Sequence, residues 1–230
     1  MITMPFRRRK SQNRNMPTGD AYADLRERMV REQIEKRGIT DAKVLEAMRK
    51  VPRHLFTKSA DMESAYTDYA LPIACGQTIS QPYIVALMTD LLQLDGPLKV
   101  LEIGTGCGYQ TAVLAELATQ VYSMEIIPKL AENARTQLNA LGYRNITLKV
   151  GNGYKGWAEY APYSRIIVTA APKVLPNRLI EQLAEGGRMV VPIGNYDQEL
   201  ILIRKTARGI EQTRVIGVRF VPMTGAIDGN

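Results

Sequence analysis

The sequence predicts an α/β protein built on a doubly wound, mostly parallel sheet, with an N-terminal helical segment and a C-terminal antiparallel strand pair. Three observations carry this prediction. After Pro97, five short apolar runs alternate with helical patterns. Those runs are almost continuously apolar, as strands covered on both faces must be. The last two strand patterns are joined only through Ala207-Arg208-Gly209, which leaves no room for a crossover helix and makes that pair antiparallel.

Taken in order, the helical pattern begins at Asp20, with Leu25, Met29, Val30 and Ile34 on one side and Gly38 able to stop it. A second short helix follows Thr40, turns Val44, Leu45 and Met48 inward, and ends before Pro52. Residues 52–82 read as an irregular loop, rich in Tyr, Asp, Gly and Pro. A loop of that length in a compact domain is functional or disordered, and its apolar and aromatic content argues against disorder. Pro82 fits the first turn of a helix whose stripe is Ile84, Leu87, Met88, Leu91 and Leu92. Strands are predicted over 100–103, 121–126, 146–150, 166–169 and 189–193. Helices are predicted over 109–117 and 128–141, the second with Leu130, Ala134, Leu138 and Leu141 inward and closed by Gly142. Right-handed crossovers then cover both faces of the sheet. The final pair is expected over 199–205 and 211–221. Residues 1–19 read as a basic tail and 20–230 as one domain, divided into helices and loop at 20–96 and an α/β core at 97–230.

With 45% hydrophobic and 23% charged residues in a 230-residue chain, collagen-like, disordered and transmembrane classes are excluded. The basic start Arg7-Arg8-Arg9-Lys10 runs into Ser11-Gln12-Asn13-Arg14, where a secretory peptide would be apolar, so a cytoplasmic location is expected. Cys75 and Cys107 make no disulfide framework, and with His54 as the single histidine they are too few for a zinc cluster; no metal is expected. Of the net charge of +7, +4 falls in the first twenty residues, where five basic side chains face Asp20 alone. That reads as a solvated tail rather than a nucleic-acid arm, because binding proteins carry their basic face on the folded domain.

The strongest local signal is the run from Val100 to Tyr109, a strand entering a glycine turn and then a helix. Gly104, Gly106 and Gly108 space it as G-x-G-x-G; a dinucleotide fingerprint would place its third glycine at position 109, which is Tyr109. Glu102 just before the turn disfavours a pyrophosphate and suits a ligand with ammonium and sulfonium charges. Thr105 lies within the turn. Glu125 ends the second strand, where a carboxylate can accept both hydroxyls of a ribose. Gly151-Asn152-Gly153 follows the third strand and offers a side-chain amide to an adenine edge. Three successive strand ends therefore suit one adenosine-type cofactor without phosphates. Tyr154 and Trp157 either cover its adenine or pack in the core.

Several segments together resemble the protein-L-isoaspartate O-methyltransferases. They are Glu102 to Gln110; Ala65-Tyr66 with Ala70 to Ile73; Gly76 to Pro82; Val51 to Phe56; and Ile167 to Pro172. The resemblance spans about Leu25 to the C-terminus, and the stretch from Gly76 to Pro82 is its most specific part. It implies a class I, Rossmann-like methyltransferase fold. It further implies S-adenosylmethionine as cofactor, S-adenosylhomocysteine as product, and methylation of the α-carboxylate of isoaspartyl residues in damaged proteins as the first step of repair. It makes Ser80 the active-site serine, with Thr78 and Ile79 beside it at the mouth for cofactor and substrate. Ala170, Ala171 and Val221 fall to the substrate side, with Phe220 to Met223 folding back towards it. Two positions depart from the family pattern: Asn152 stands for an Asp, which weakens a hydrogen bond to the adenine amino group, and Ser164 stands for an acid.

The chemistry asks for alignment rather than a base, because a carboxylate of pKa near ~4 is ionised at neutral pH. Ser80 fits a positioning role and equally an N-cap of the helix at Pro82. A Ser80–His54–Asp68 triad is disfavoured, since no sharp G-x-S-x-G turn carries the serine. Cys107 reads as packing. Two other readings stay open: a relative that methylates a normal aspartate in a dedicated peptide, and a non-catalytic cofactor- or nucleic-acid-binding relative. The expected partners are isoaspartyl proteins and peptides, with no membrane, and the expected state is a monomer.

Overall fold

The computed structural model describes residues 22–57 and 62–225. The basic tail lies outside the described residues. Helix α1, Ala23–Met29, continues through a wide turn at Val30–Ile34 and a tight one at Glu35–Arg37, and stops at Gly38 with φ 95°. Met29, Val30 and Ile34 are fully buried, as the pattern predicts. Helix α2, Ala42–Lys50, is capped by Asp41, whose carboxylate accepts from the amides of Lys43 and Val44 at 2.9 and 3.0 Å. A cap of this kind contributes about 1 kcal/mol.

The stretch predicted as an irregular loop is stitched rather than loose. It holds three short turns, Arg53–Phe56, Met62–Tyr66 and Ala74–Gly76. A two-residue antiparallel ladder pairs Leu71 with Ile79 and Pro72 with Thr78. The fully buried Arg53 donates from Nε to the carbonyl of Ala65 at 2.7 Å. His54 shares a 2.6 Å hydrogen bond with the Tyr66 hydroxyl.

Helix α3, Pro82–Leu92, differs from its predicted stripe. Ile84 and Leu91 are only half-buried, whereas Val85, Ala86 and Thr89 are buried along with Leu87, Met88 and Leu92. The helix is covered on two sides, by the sheet and by the N-terminal helices, so its buried arc is wider than one amphipathic stripe.

Seven strands follow: β1 Lys99–Ile103, β2 Gln120–Glu125, β3 Ile146–Val150, β4 Tyr163–Val168, β5 Leu183–Gly194, β6 Gln198–Thr206 and β7 Gly209–Val218. Their order across the sheet is β3-β2-β1-β4-β5-β6-β7. The first five are parallel, and β6 and β7 are antiparallel additions, as predicted. Helices α4, Tyr109–Leu117, and α5, Pro128–Ala140, make the first crossovers. The short α6, Asn177–Glu181, was not foreseen; it buries only Leu179, too little to print a period on the sequence. Strand β7 ends at Val218, three residues earlier than expected, because the backbone of Phe220 bonds to the side chain of Gln198 instead of to a strand.

Alternate residues along the strands feed two cores. Val100, Val121, Ile167 and Val190 face the helices α1–α4, and Leu101, Ile103, Ile166 and Met189 face Trp157 and Leu179. The chain leaves β1 in one direction to β2 and β3, then in the other to β4 and β5. That reversal opens a crevice beyond the carboxyl ends of β1 and β4, where such sheets take their ligands.

Candidate active site

The turn from Gly104 to Gly108 sits over this crevice. Gly104 has φ 99°, and a Cβ there would lie 2.3 Å from Thr169 Oγ1 at the end of β4, so only glycine fits. The Thr169 hydroxyl donates to the Gly104 carbonyl at 2.6 Å, and the amide of Gly104 donates to Met124 O at 2.8 Å, tying the turn to both neighbouring strands.

Glu125, 7% exposed at the end of β2, accepts from the amide of Gly106 at 2.8 Å through one oxygen and from that of Ile127 at 2.9 Å through the other. Each oxygen keeps acceptor capacity. The carboxylate is thus held rigidly while it lines a concave cavity at the carboxyl ends of the strands, where ligands of such sheets bind. Gly104, Gly106, Gly151, Gly153, Ala170 and Val221 share its wall with Glu125 and Thr78. Among the described residues lining it there is no Lys or Arg. That donor set suits an adenosine ligand without phosphates and with cationic character, which is how the cavity fits S-adenosylmethionine.

A second recess shares Thr78, Gly104, Gly106 and Thr169 with this cavity and adds Ile79, Ser80 and Thr105. Beyond it, Thr78 and Ser80 also line an open groove bordered by Tyr69, Tyr196 and the segment from Gly217 to Phe220. Ser80 therefore stands between the turn and the groove. The N-cap of α3 is Gln81, not Ser80, and among the described residues the Ser80 hydroxyl makes no hydrogen bond.

Other expected site residues lie elsewhere. Glu102 is fully buried beneath the turn, where one oxygen accepts from the hydroxyls of Thr111 and Ser123, each at 2.6 Å. Its other oxygen has no partner among the described residues, and burial pushes the carboxyl up to about 8. Thr105 continues this chain of hydroxyls to Ser123 at 2.6 Å. A Cβ on Gly108 would meet Ala134 and Leu138 at 3.3 Å, so that glycine lets α5 pack closely and does not line the cavity. Asn152 turns its Oδ1 onto the amide of Tyr154 at 3.0 Å, while Gly151 and Gly153 on either side line the cavity. Ala171 is buried and pairs through its backbone with Val221 and Met223, which holds the C-terminal segment over the cavity.

Trp157 packs in the core against Tyr122, with ring centroids 5.7 Å apart, and the Tyr154 hydroxyl donates to Met223 O at 3.4 Å; neither lines the cavity. The triad is not assembled, because His54 is bonded to Tyr66 and Asp68 to Arg37 at 2.9 Å. Burial pushes the Cys107 thiol up to about 11, which fits a packing role. Ser164 lies near the start of β4, at the opposite end from the cavity, so its departure from the family pattern does not bear on the cofactor.

Sequence reasoning missed Gln77, Thr169 and Thr224 as cavity residues, whereas Met223 stands there as the expected fold-back of Phe220 to Met223 implies. Thr169 had a signal, since it follows a fourth strand end beside the three already used. Gln77 and Thr224 had none, because their approach is set by tertiary packing.

Comparison with known proteins agrees with this geometry. Residues 24–228 match the family described as protein-L-isoaspartate(D-aspartate) O-methyltransferase. A protein-L-isoaspartate O-methyltransferase from a Picosynechococcus species is 52% identical over 213 residues, covering 91% of this chain and 96% of that one. Protein-L-isoaspartate O-methyltransferase 1 from Syntrophobacter fumaroxidans is 55% identical over 205 residues, covering 89% and 96%. Among solved structures, a protein-L-isoaspartate O-methyltransferase superposes with a TM-score of 0.81 at 32% identity, covering 89% of this chain and 67% of that one. A Plasmodium falciparum structure described as a putative member in complex with S-adenosyl-L-homocysteine gives 0.76 at 27% identity, covering 86% and 98%. A glycine turn closed by Thr169, a carboxylate pinned at the second strand end and these matches along nearly the whole chain lead to one conclusion: the chain belongs to the protein-L-isoaspartate(D-aspartate) O-methyltransferase family.

Proposed function

We propose that this protein transfers a methyl group from S-adenosylmethionine to the α-carboxylate of L-isoaspartyl residues in damaged proteins and peptides. The observation that supports this reading is the placement of Thr78 and Ser80 on the seam between the Glu125 cavity and an open groove. Bound S-adenosylmethionine supplies an electrophilic methyl group. Glu125 accepts the hydroxyls of its nucleoside, and Gly104 and Gly106 allow the close approach of backbone to ligand. The Ser80 hydroxyl, with no hydrogen bond of its own among the described residues, donates to the incoming carboxylate and holds it for in-line attack. No base is needed, because the substrate arrives ionised.

The decisive experiment incubates the protein with methyl-labelled S-adenosylmethionine and, separately, an isoaspartyl peptide, its aspartyl twin and an RNA. Base-labile label on the isoaspartyl peptide alone is expected. Equal labelling of the aspartyl twin would move the assignment to a general aspartyl methyltransferase, and label on neither peptide would overturn it.

A further inference from the structure

One buried side chain ties together the two spaces that the proposed reaction needs. Gln198, 7% exposed at the start of β6, uses its whole carboxamide on backbone. Its Oε1 accepts from the amide of Phe220 at 2.6 Å, and its Nε2 donates to the carbonyl of Phe220 at 3.1 Å and to that of Asn195 at 3.3 Å. The two hydrogen bonds to the Phe220 backbone imitate a strand pairing at the point where β7 has stopped. On one side of Phe220, Gly217 to Arg219 line the groove; on the other, Val221 to Thr224 line the cofactor cavity. The third bond reaches the turn that presents Tyr196 and Asp197 to the same groove.

We infer that Gln198 is a positioning residue for methyl transfer: it fixes the strap from Arg219 to Thr224 and the turn at Asn195 so that the groove presents the substrate carboxylate to the cofactor. The inference rests on the groove's being the peptide side of the site, as proposed above. The cofactor half of the strap has further anchors, since the Ala171 amide donates to Val221 O at 2.9 Å, the Met223 amide to Ala171 O at 2.8 Å, and Tyr154 to Met223 O. The groove half has Gln198 in that place. Loss of the carboxamide therefore falls on the peptide more than on the cofactor.

The test compares Gln198→Met and Gln198→Glu with the unaltered protein, measuring kcat and KM for an isoaspartyl peptide and Kd for S-adenosylhomocysteine across pH 5.5 to 8.5. Methionine keeps length without hydrogen bonds, and a tenfold or greater rise in KM is expected, with kcat changed less than threefold and Kd less than threefold. Glutamate sets a carboxylate against two carbonyl oxygens when ionised, but as the neutral acid it accepts from Phe220 N and donates to Phe220 O, as glutamine does. Its KM should match that of Gln198→Met at pH 8.5 and recover towards the unaltered protein as pH falls, relative to that protein's own profile. The unaltered profile accounts for the nearby Asp197, Glu199 and Arg219.

KM within twofold of normal in Gln198→Met, or a Gln198→Glu enzyme that follows it at every pH, would overturn the inference. So would failure of both variants to fold, which would make the carboxamide a purely structural group. If the unaltered protein labels no isoaspartyl peptide, the fault lies with the proposed function and not with Gln198, and the two failures are thereby told apart.

Discussion

On the cofactor side of the site, the glycine turn and Glu125 sit at the ends of parallel strands with a neighbour on each flank. On the proposed substrate side, the groups sit on a two-residue ladder and a strap held by side-chain hydrogen bonds. Glu125 is fixed by two backbone amides, and the glycine turn is tied to β2 and β4. Ser80 and Thr78, by contrast, hang from the pairing of Leu71 with Ile79, and Phe220 from Gln198. The first wall cannot move without breaking the sheet. The second can be altered one side chain at a time. A scaffold divided this way separates the fixed cofactor geometry from the wall on which the proposed peptide contacts lie.

The sharpest way to break that division is Ser80→Asp. The helix behind it takes its N-cap at Gln81, so folding should be near normal, and S-adenosylhomocysteine should bind with little change. A negative charge set against the substrate carboxylate should lower turnover of isoaspartyl peptide more than 100-fold, above about 2.7 kcal/mol of barrier. Steady-state kinetics with calorimetry checks this, and near-normal turnover would remove Ser80 from the chemistry.

Glu102 probes the rigid wall through pH. Burial holds its carboxyl at about 8, against 4.5 in the unfolded chain. The folded protein then keeps a proton that the unfolded chain has lost, so this group's contribution makes stability fall as pH rises from about 4.5 to about 8. That fall, on the order of a few kcal/mol by linkage, should shrink in Glu102→Gln. Urea unfolding of both proteins at pH 5, 6.5 and 8 measures it; parallel curves would mean that Glu102 is ionised throughout.

Glu125→Ala should weaken S-adenosylhomocysteine binding by about 1–3 kcal/mol, the usual worth of hydrogen bonds to a charged group. Its KM for peptide at saturating cofactor should hardly move if the two walls are independent. Calorimetry reads the first effect, and a matching shift in peptide KM would show the walls coupled at the turn. The smallest effect is expected on deleting residues 1–19, which precede the family match beginning at residue 24. The kcat/KM for a short neutral peptide should stay within a few-fold, about 1 kcal/mol or less. A larger fall would bring the basic tail into the site.

The rigid wall was also the legible one. Strand ends, glycine spacing and a carboxylate at a fixed distance are local features, so the turn and Glu125 could be placed from sequence, and residue resemblance supplied Ser80. What stayed hidden depends on direction. Glu102 and Glu125 look alike on adjoining strands, yet β1 turns its carboxyl inward to Thr111 and Ser123 while β2 presents its own to the cavity. Asn152, expected to offer its amide to an adenine, also accepts from the amide of Tyr154 through Oδ1, a local bond that an Asx side chain makes two residues on and that a residue pattern does not orient. Gln198, in a strand of otherwise apolar inward residues, carried no signal, because its partner lies 22 residues away on a segment with no period of its own.

Among the described residues, strand β7 ends the sheet with one flank unpaired, and most of its residues are exposed. A bare strand edge is a template on which another extended chain can pair. Here that edge carries Glu211 and Arg214, paired across to Arg204 and Glu199, and its register slips opposite Leu200 and Ile201. Charge and irregularity together discourage stray strands from joining the sheet, so the edge that closes the fold is kept from acting as a docking strip.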